Sequence, residues 1–144
     1  MINIYIDSDL KGVRGKACYG YVLEWKRPEK PLVTREGFGT AEDTRNRIFL
    51  KATTEALDRI IKIEELHIYE PCEYVAESAA RGLLDIWNLQ AWIKGDGREV
   101  KNRDLWEPLL KKIKTLKPEW HSGEHCYTEW IREEIERRKV DGII

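Results

Sequence analysis

Residues 44–69 read TRNRIFLKATTEALDRIIKIEELHIY, and this stretch decides the fold. Thr44 is an N-cap residue type ahead of a charged first turn, which predicts a helix start there. Ile48, Ala52, Leu57 and Ile61, joined by Phe49, Ala56 and Ile60, form a broad apolar stripe at helical spacing. Leu66, Ile68 and Tyr69 then read as a short strand, which Pro71 stops. Upstream, Ile2, Ile4 and Ile6 alternate with Asn3, Tyr5 and Asp7, the period of a strand with two distinct faces. A strand, a helix and a second strand in that order predict a right-handed crossover. It lays 66–69 parallel to the first strand.

The rest of the chain fits around this unit. Ala17 to Trp25 and Leu32 to Phe38 read as two further strands, with Pro28 and Pro31 bracketing the turn between them. With the first strand they make an antiparallel meander. Glu73 to Trp87 is helical in pattern with a break at Gly82, and Gly95-Asp96-Gly97 is a tight turn. Asp104 to Leu116 is an amphipathic helix with Asp104 at its start and Lys111, Lys112 and Lys114 near its end, as the helix dipole favours. Pro118 to Trp120 is a short strand, and Tyr127 to Arg138 a closing helix. The reading is one α/β domain over residues 1–144, a mixed sheet covered by helices.

Composition narrows the function classes. The chain has 144 residues, 42% hydrophobic and 35% charged, which excludes a disordered polar chain. Lys and Arg total 25 against 26 Asp and Glu, a net charge of −1, so bulk charge does not announce a nucleic-acid module. No apolar run spans a membrane and no charged-then-apolar leader opens the chain, so no membrane association is expected. Cys18, Cys72 and Cys126 are odd in number and widely spaced, which fits neither a disulfide framework nor a zinc pattern; a reducing cytoplasm is the expected compartment. The run Arg132, Arg137, Arg138, Lys139 is interleaved with Glu at helical spacing and reads as a solvated, ion-paired face.

The order of elements and particular residues together resemble type 1 ribonuclease H along nearly the whole chain. Residues 92–106, WIKGDGREVKNRDLW, are similar to the family's segment around Gly-Trp, Ala-Asp-Gly, Val-x-Asn and Asp-Leu-Trp. Ile4-Tyr5-Ile6-Asp7 resembles its first strand and Tyr19-Gly20-Tyr21 its second. Thr44, Asn46 and Arg47 resemble the lead into its first helix, and Glu119-Trp120 its last strand. The resemblance implies a five-stranded mixed sheet of order 3-2-1-4-5 with helices on both faces. It also implies cleavage of RNA in RNA–DNA hybrids by two divalent ions, one activating water and one stabilising the leaving oxygen.

Such ions need clustered carboxylates. In the family these are an Asp on the first strand, a Glu on the first helix, an Asp after the fourth strand and an Asp at the last helix. Carried over residue by residue, Asp7 keeps the first, Phe49 replaces the second and Pro71 the third; the fourth falls on Thr128 or Glu129. The family's glycine-and-histidine loop is shortened here, with Glu124 at its His position and His121 and His125 nearby. Thr44 and Asn46 match residues that grip the nucleic-acid backbone. Glu73 stands in place of a Gln, and Val13 in place of an Asn. The basic handle helix becomes 83–90, LLDIWNLQ, without positive charge.

The expected function is therefore a ribonuclease H-like domain without catalysis, needing no cofactor and acting by binding. The candidate partners are a protein, most simply a second copy, held through Leu84, Trp87 and Leu89 of the 83–92 segment, or an RNA–DNA hybrid held weakly. The alternative is a Mg²⁺- or Mn²⁺-dependent ribonuclease H with a rearranged site, built from Asp7, Asp9, Glu70 and Glu124 or Glu129. Asp7, Asp9 and Glu70 are then the metal candidates. A purely structural domain of a larger assembly is the third reading.

Overall fold

The computed structural model describes all residues from Met1 to Ile144. Its elements run β1 (Ile2–Ser8), β2 (Arg14–Trp25), β3 (Val33–Thr44), α1 (Arg45–Asp58), β4 (Leu66–Glu70), α2 (Glu73–Ala80), α3 (Leu83–Leu89), α4 (Arg103–Leu116), β5 (Glu119–Ser122) and α5 (Thr128–Val140). The five strands form one sheet of order β3-β2-β1-β4-β5. β1–β2 and β2–β3 are antiparallel, β1–β4 and β4–β5 parallel. This is the order the meander and crossovers predict.

The alternation of β1 divides the molecule into two layers. Ile2, Ile4 and Ile6 enter the main core with Phe49, Leu50 and Leu57 of α1, Val75 of α2, Leu84 of α3 and Trp106 and Leu109 of α4. Tyr5 points the other way, into a smaller core with Cys18, Val22, Ile131 and Ile135, so α5 alone covers the second face. The Thr44 hydroxyl caps α1, accepting from Arg47 N at 3.3 Å. Arg47 then forks onto Asp104 through Nη1 and Nη2, at 2.8 and 2.7 Å, tying the start of α1 to that of α4.

Three segments differ from the sequence reading. α1 ends at Asp58, so Ile60 and Ile61, read into its apolar stripe, lie past the helix, with Ile61 exposed. β3 continues six residues past Phe38, to Thr44, despite its glycines. Gly37 lies opposite Tyr21 and Gly39 opposite Tyr19, and a Cβ at either glycine would overlap the tyrosine ring. The rings cover the bare backbone and extend the ladder, a cross-strand effect that a propensity count along one strand misses. The helix expected over 73–87 breaks as foreseen, with Gly82 at φ 72°, but α3 is not an open apolar face. Leu84 is 3% exposed, and the Trp87 ring packs 6.1 Å from Trp92 and 5.8 Å from Trp106. Ile86, Leu89 and Ile93 are the apolar groups of this region left exposed.

Candidate active site around Asp7

Asp7 sits near the C-terminal end of β1, the central strand, and is 1% exposed. Its Oδ1 accepts from Ser8 N at 2.8 Å. Its Oδ2 lies 2.9 Å from Arg132 Nε of α5, off the hydrogen-bond axis, so the pairing is by charge. Burial raises the carboxyl above its ordinary value, and the Ser8 N–H and the Arg132 guanidinium oppose that rise only in part. The other arginines of α5 each pair within the helix or just past its end, Arg137 with Glu134 and Asp141 and Arg138 with Glu134, and Arg138 also reaches Glu36 of β3; Arg132 pairs with Asp7 of β1.

His125 closes the site on the α5 side. Its Nε2 donates to the Ile6 carbonyl at 2.8 Å and its Nδ1 accepts from Tyr127 N at 3.1 Å, which defines one neutral tautomer. Burial lowers its basicity further. Both ring nitrogens are in use within the fold.

Phe49 is fully buried in the main core, with the Arg45 guanidinium 4.8 Å over its ring. At the helix position to which the resemblance assigns a carboxylate there is thus an aromatic ring capped by a cation. Pro71 follows β4 and offers no ligand side chain. Glu70 is fully buried and belongs to the opposite face of the sheet from Asp7: it meets Thr53 of α1, whereas Asp7 meets α5. Its carboxyl is pushed up to about 8 by burial. The geometry agrees. Thr53 Oγ1 lies 2.7 Å from the Phe49 carbonyl and 2.8 Å from Glu70 Oε2, and one hydroxyl proton cannot serve two acceptors. A protonated Glu70 donates to Thr53, which in turn donates to Phe49.

The remaining candidates are dispersed. Asp9 accepts from Cys18 N at 2.8 Å through Oδ1 and pairs with Lys139 through Oδ2. Asn46 Oδ1 accepts from the Cys72 thiol at 3.5 Å, and Thr44 is used as the α1 cap. Thr128 is buried and accepts from His125 N at 2.9 Å, while Glu129 and Glu124 point to solvent. Asp7, Asp9 and Glu70 do not converge. The one place where three His, Cys, Asp or Glu ligand atoms come within 4.8 Å of one another is elsewhere, at His67, Glu119 and His121. A pair of Mg²⁺ ions needs several hard oxygens on one side, so the side chains around Asp7 do not fit it.

Sequence reasoning missed Arg132, Arg45 and His67. Arg132 follows Thr128 by four residues, so the face of α5 that meets Asp7 carries it, a signal present in the helical period.

A five-stranded sheet of order β3-β2-β1-β4-β5, with Asp7 at the end of its central strand, defines the ribonuclease H fold. The RNase H family model matches residues 1–130, and the chain belongs to the RNase H family. A ribonuclease H of Thermoanaerobacter sp. strain X514 is 31% identical over 120 residues, which span 83% of this chain and 75% of that protein. A ribonuclease HI of Xylella fastidiosa is 28% identical over 141 residues, 98% of this chain and 87% of that protein. Among solved structures, LC9-RNase H1, a type 1 RNase H with the type 2 active-site motif, superposes with a TM-score of 0.74 at 18% identity, covering 95% of this chain and 71% of that one. LC11-RNase H1, solved in complex with an RNA/DNA hybrid, gives 0.61 at 17% identity, covering 96% and 99%. No helix of the structure is long and apolar enough to cross a membrane.

Proposed function

We propose that the chain is an RNase H-family domain that binds without hydrolysing, its ligand an RNA–DNA hybrid held weakly. The observation that carries this reading is the Asp7–Arg132 ion pair, which supplies internally the positive charge a metal ion would bring. Phe49, buried beneath Arg45, supports it from the other face. Hybrid as the ligand rests on family membership and on the hybrid bound by LC11-RNase H1. Weak binding follows from the missing handle charge, since affinity for phosphates scales with the cations that neutralise them. The protein-partner reading keeps less support: Leu84 is buried and Trp87 is partly buried against Trp92 and Trp106, leaving Ile86, Leu89 and Ile93 as the exposed apolar groups.

The second reading, a working metal-dependent ribonuclease H, is favoured by the relatives, which carry the names ribonuclease H and HI. One experiment separates them. A labelled RNA–DNA hybrid is incubated with the protein in Mg²⁺ and in Mn²⁺, beside an Asp7→Asn control, and binding is followed by anisotropy across salt. The expected result is cleavage no greater than the control and binding that vanishes at moderate salt. Cleavage abolished by Asp7→Asn establishes the second reading instead.

A further inference from the structure

The parallel pairing of β4 with β5 places His67 opposite Glu119 and Tyr69 opposite His121. His67 Nδ1 lies 3.0 Å from His121 Nε2 and 3.3 Å from Glu119 Oε2. A tetrahedral Zn²⁺ with bonds of about 2.0–2.1 Å has ligand-to-ligand edges of about 3.3 Å. Two of the three edges therefore stand near zinc spacing already. The third closes by rotation of Glu119, whose side chain is 68% exposed.

Neighbouring groups prepare the ligands. Glu65 Oε2 lies 2.9 Å from His67 Nε2. A proton on Nε2 is donated to that carboxylate, which leaves the Nδ1 lone pair facing Glu119 and His121. This carboxylate–histidine arrangement orients zinc-bound imidazoles. The His121 ring lies parallel to Tyr69 at 4.4 Å, and Tyr69 stacks on Tyr5 at 4.9 Å, so an aromatic column reaching β1 fixes the second imidazole. The side chain of His67 is 15% exposed, while Glu119 and Glu65 open to water, which leaves room for solvent in the remaining coordination positions.

We infer that His67, His121 and Glu119 form a binding site for a zinc-class divalent cation that clips the edge strand β5 to β4. Imidazole nitrogens select Zn²⁺ and its transition-metal neighbours over Mg²⁺, so the cation differs in kind from the family's hydrolytic ions. In the metal-free protein the His121 Nε2 proton bridges to His67 Nδ1. The cation takes the place of that proton, which passes through solvent to His121 Nδ1, so the ring stays neutral and changes tautomer. The site shares no residue with the Asp7 region and stands whatever the hydrolysis assay returns.

Calorimetric titration of metal-stripped protein with ZnCl₂ tests this, in a Cys126→Ser background because that thiol is exposed. One saturable site is expected, with a Tm rise on zinc addition and none on Mg²⁺. His121→Ala and His67→Ala should each weaken binding at least ~10-fold, and Glu65→Gln should weaken it less. His121→Gln, which keeps a planar polar side chain on Tyr69, serves if the alanine variant is unfolded by circular dichroism. Co²⁺ substitution should give the intense visible absorption of a low-coordinate site, lost in the His121 variant. No saturable zinc binding, or binding indifferent to both histidines, overturns the inference and leaves the pair as a hydrogen bond between imidazoles.

Discussion

Replacing Glu70 by Gln is expected to stabilise the domain at pH 9 and to leave it nearly unchanged at pH 4. The carboxyl is raised from 4.5 to about 8 by burial, so the folded state holds the proton more tightly than the unfolded chain. For a raised value, the stabilisation is fully present below the unfolded value and is lost as pH rises through the folded one. The wild-type protein therefore loses stability between about pH 4.5 and 8, whereas Gln stays neutral throughout and still donates to Thr53. At about 1.4 kcal/mol per unit, the gap between the two proteins at pH 9 should reach a few kcal/mol. Asp7 and His125 also titrate abnormally, but both are common to the two proteins and cancel in the difference. Chemical denaturation across pH measures it. A difference that stays flat with pH would mean that the folded state carries Glu70 ionised, and with it a charge available on the α1 side of the sheet.

The second large effect is expected at Arg132. Arg132→Ala leaves Asp7 buried with only the Ser8 N–H to stabilise its charge. Breaking a fully buried pair costs about 3–5 kcal/mol, and because the Arg132 side chain is half-exposed and screened by water, about 2 kcal/mol is expected here. Asp7→Asn should restore most of that loss in the double variant, because Asn keeps the Ser8 acceptor and removes the buried charge. The double-mutant cycle should thus give a coupling of at least ~1 kcal/mol. A coupling near zero would show that Arg132 leaves Asp7 in solution and that the carboxylate is free to bind a cation.

Much of this architecture was legible from local pattern. Period-two alternation over 2–7 and the helical stripe from Ile48 to Leu57 placed β1 and α1, and the strand between α1 and Pro71 supplied the crossover. These readings succeed because a residue's neighbours on one strand or helix face are fixed by backbone geometry alone. The full length of β3 was not legible, because the tyrosines that cover Gly37 and Gly39 come from the adjacent strand. Nor was the inward turn of Trp87, which depends on Trp92 and Trp106 arriving beside it.

At the site the division is sharper. The chain by itself determined which chemical groups stand at each position: Asp7 kept, with Phe49 and Pro71 where the resemblance implies carboxylates. It also set the alternation that sends Asp7 and Glu70 to opposite faces once the strands pair. Only the tertiary structure decided how the remaining charges are met. Arg132, legible as one more charge on a solvated helix, becomes the counter-ion of Asp7 because α5 packs across β1. Glu70, legible as an acid beside a metal position, is enclosed by α1 and holds its proton. His67 and His121 become neighbours through the register of two strands joined by three helices. Side-chain identity is local, whereas the dielectric and the partner that fix a group's charge are supplied by whatever packs against it.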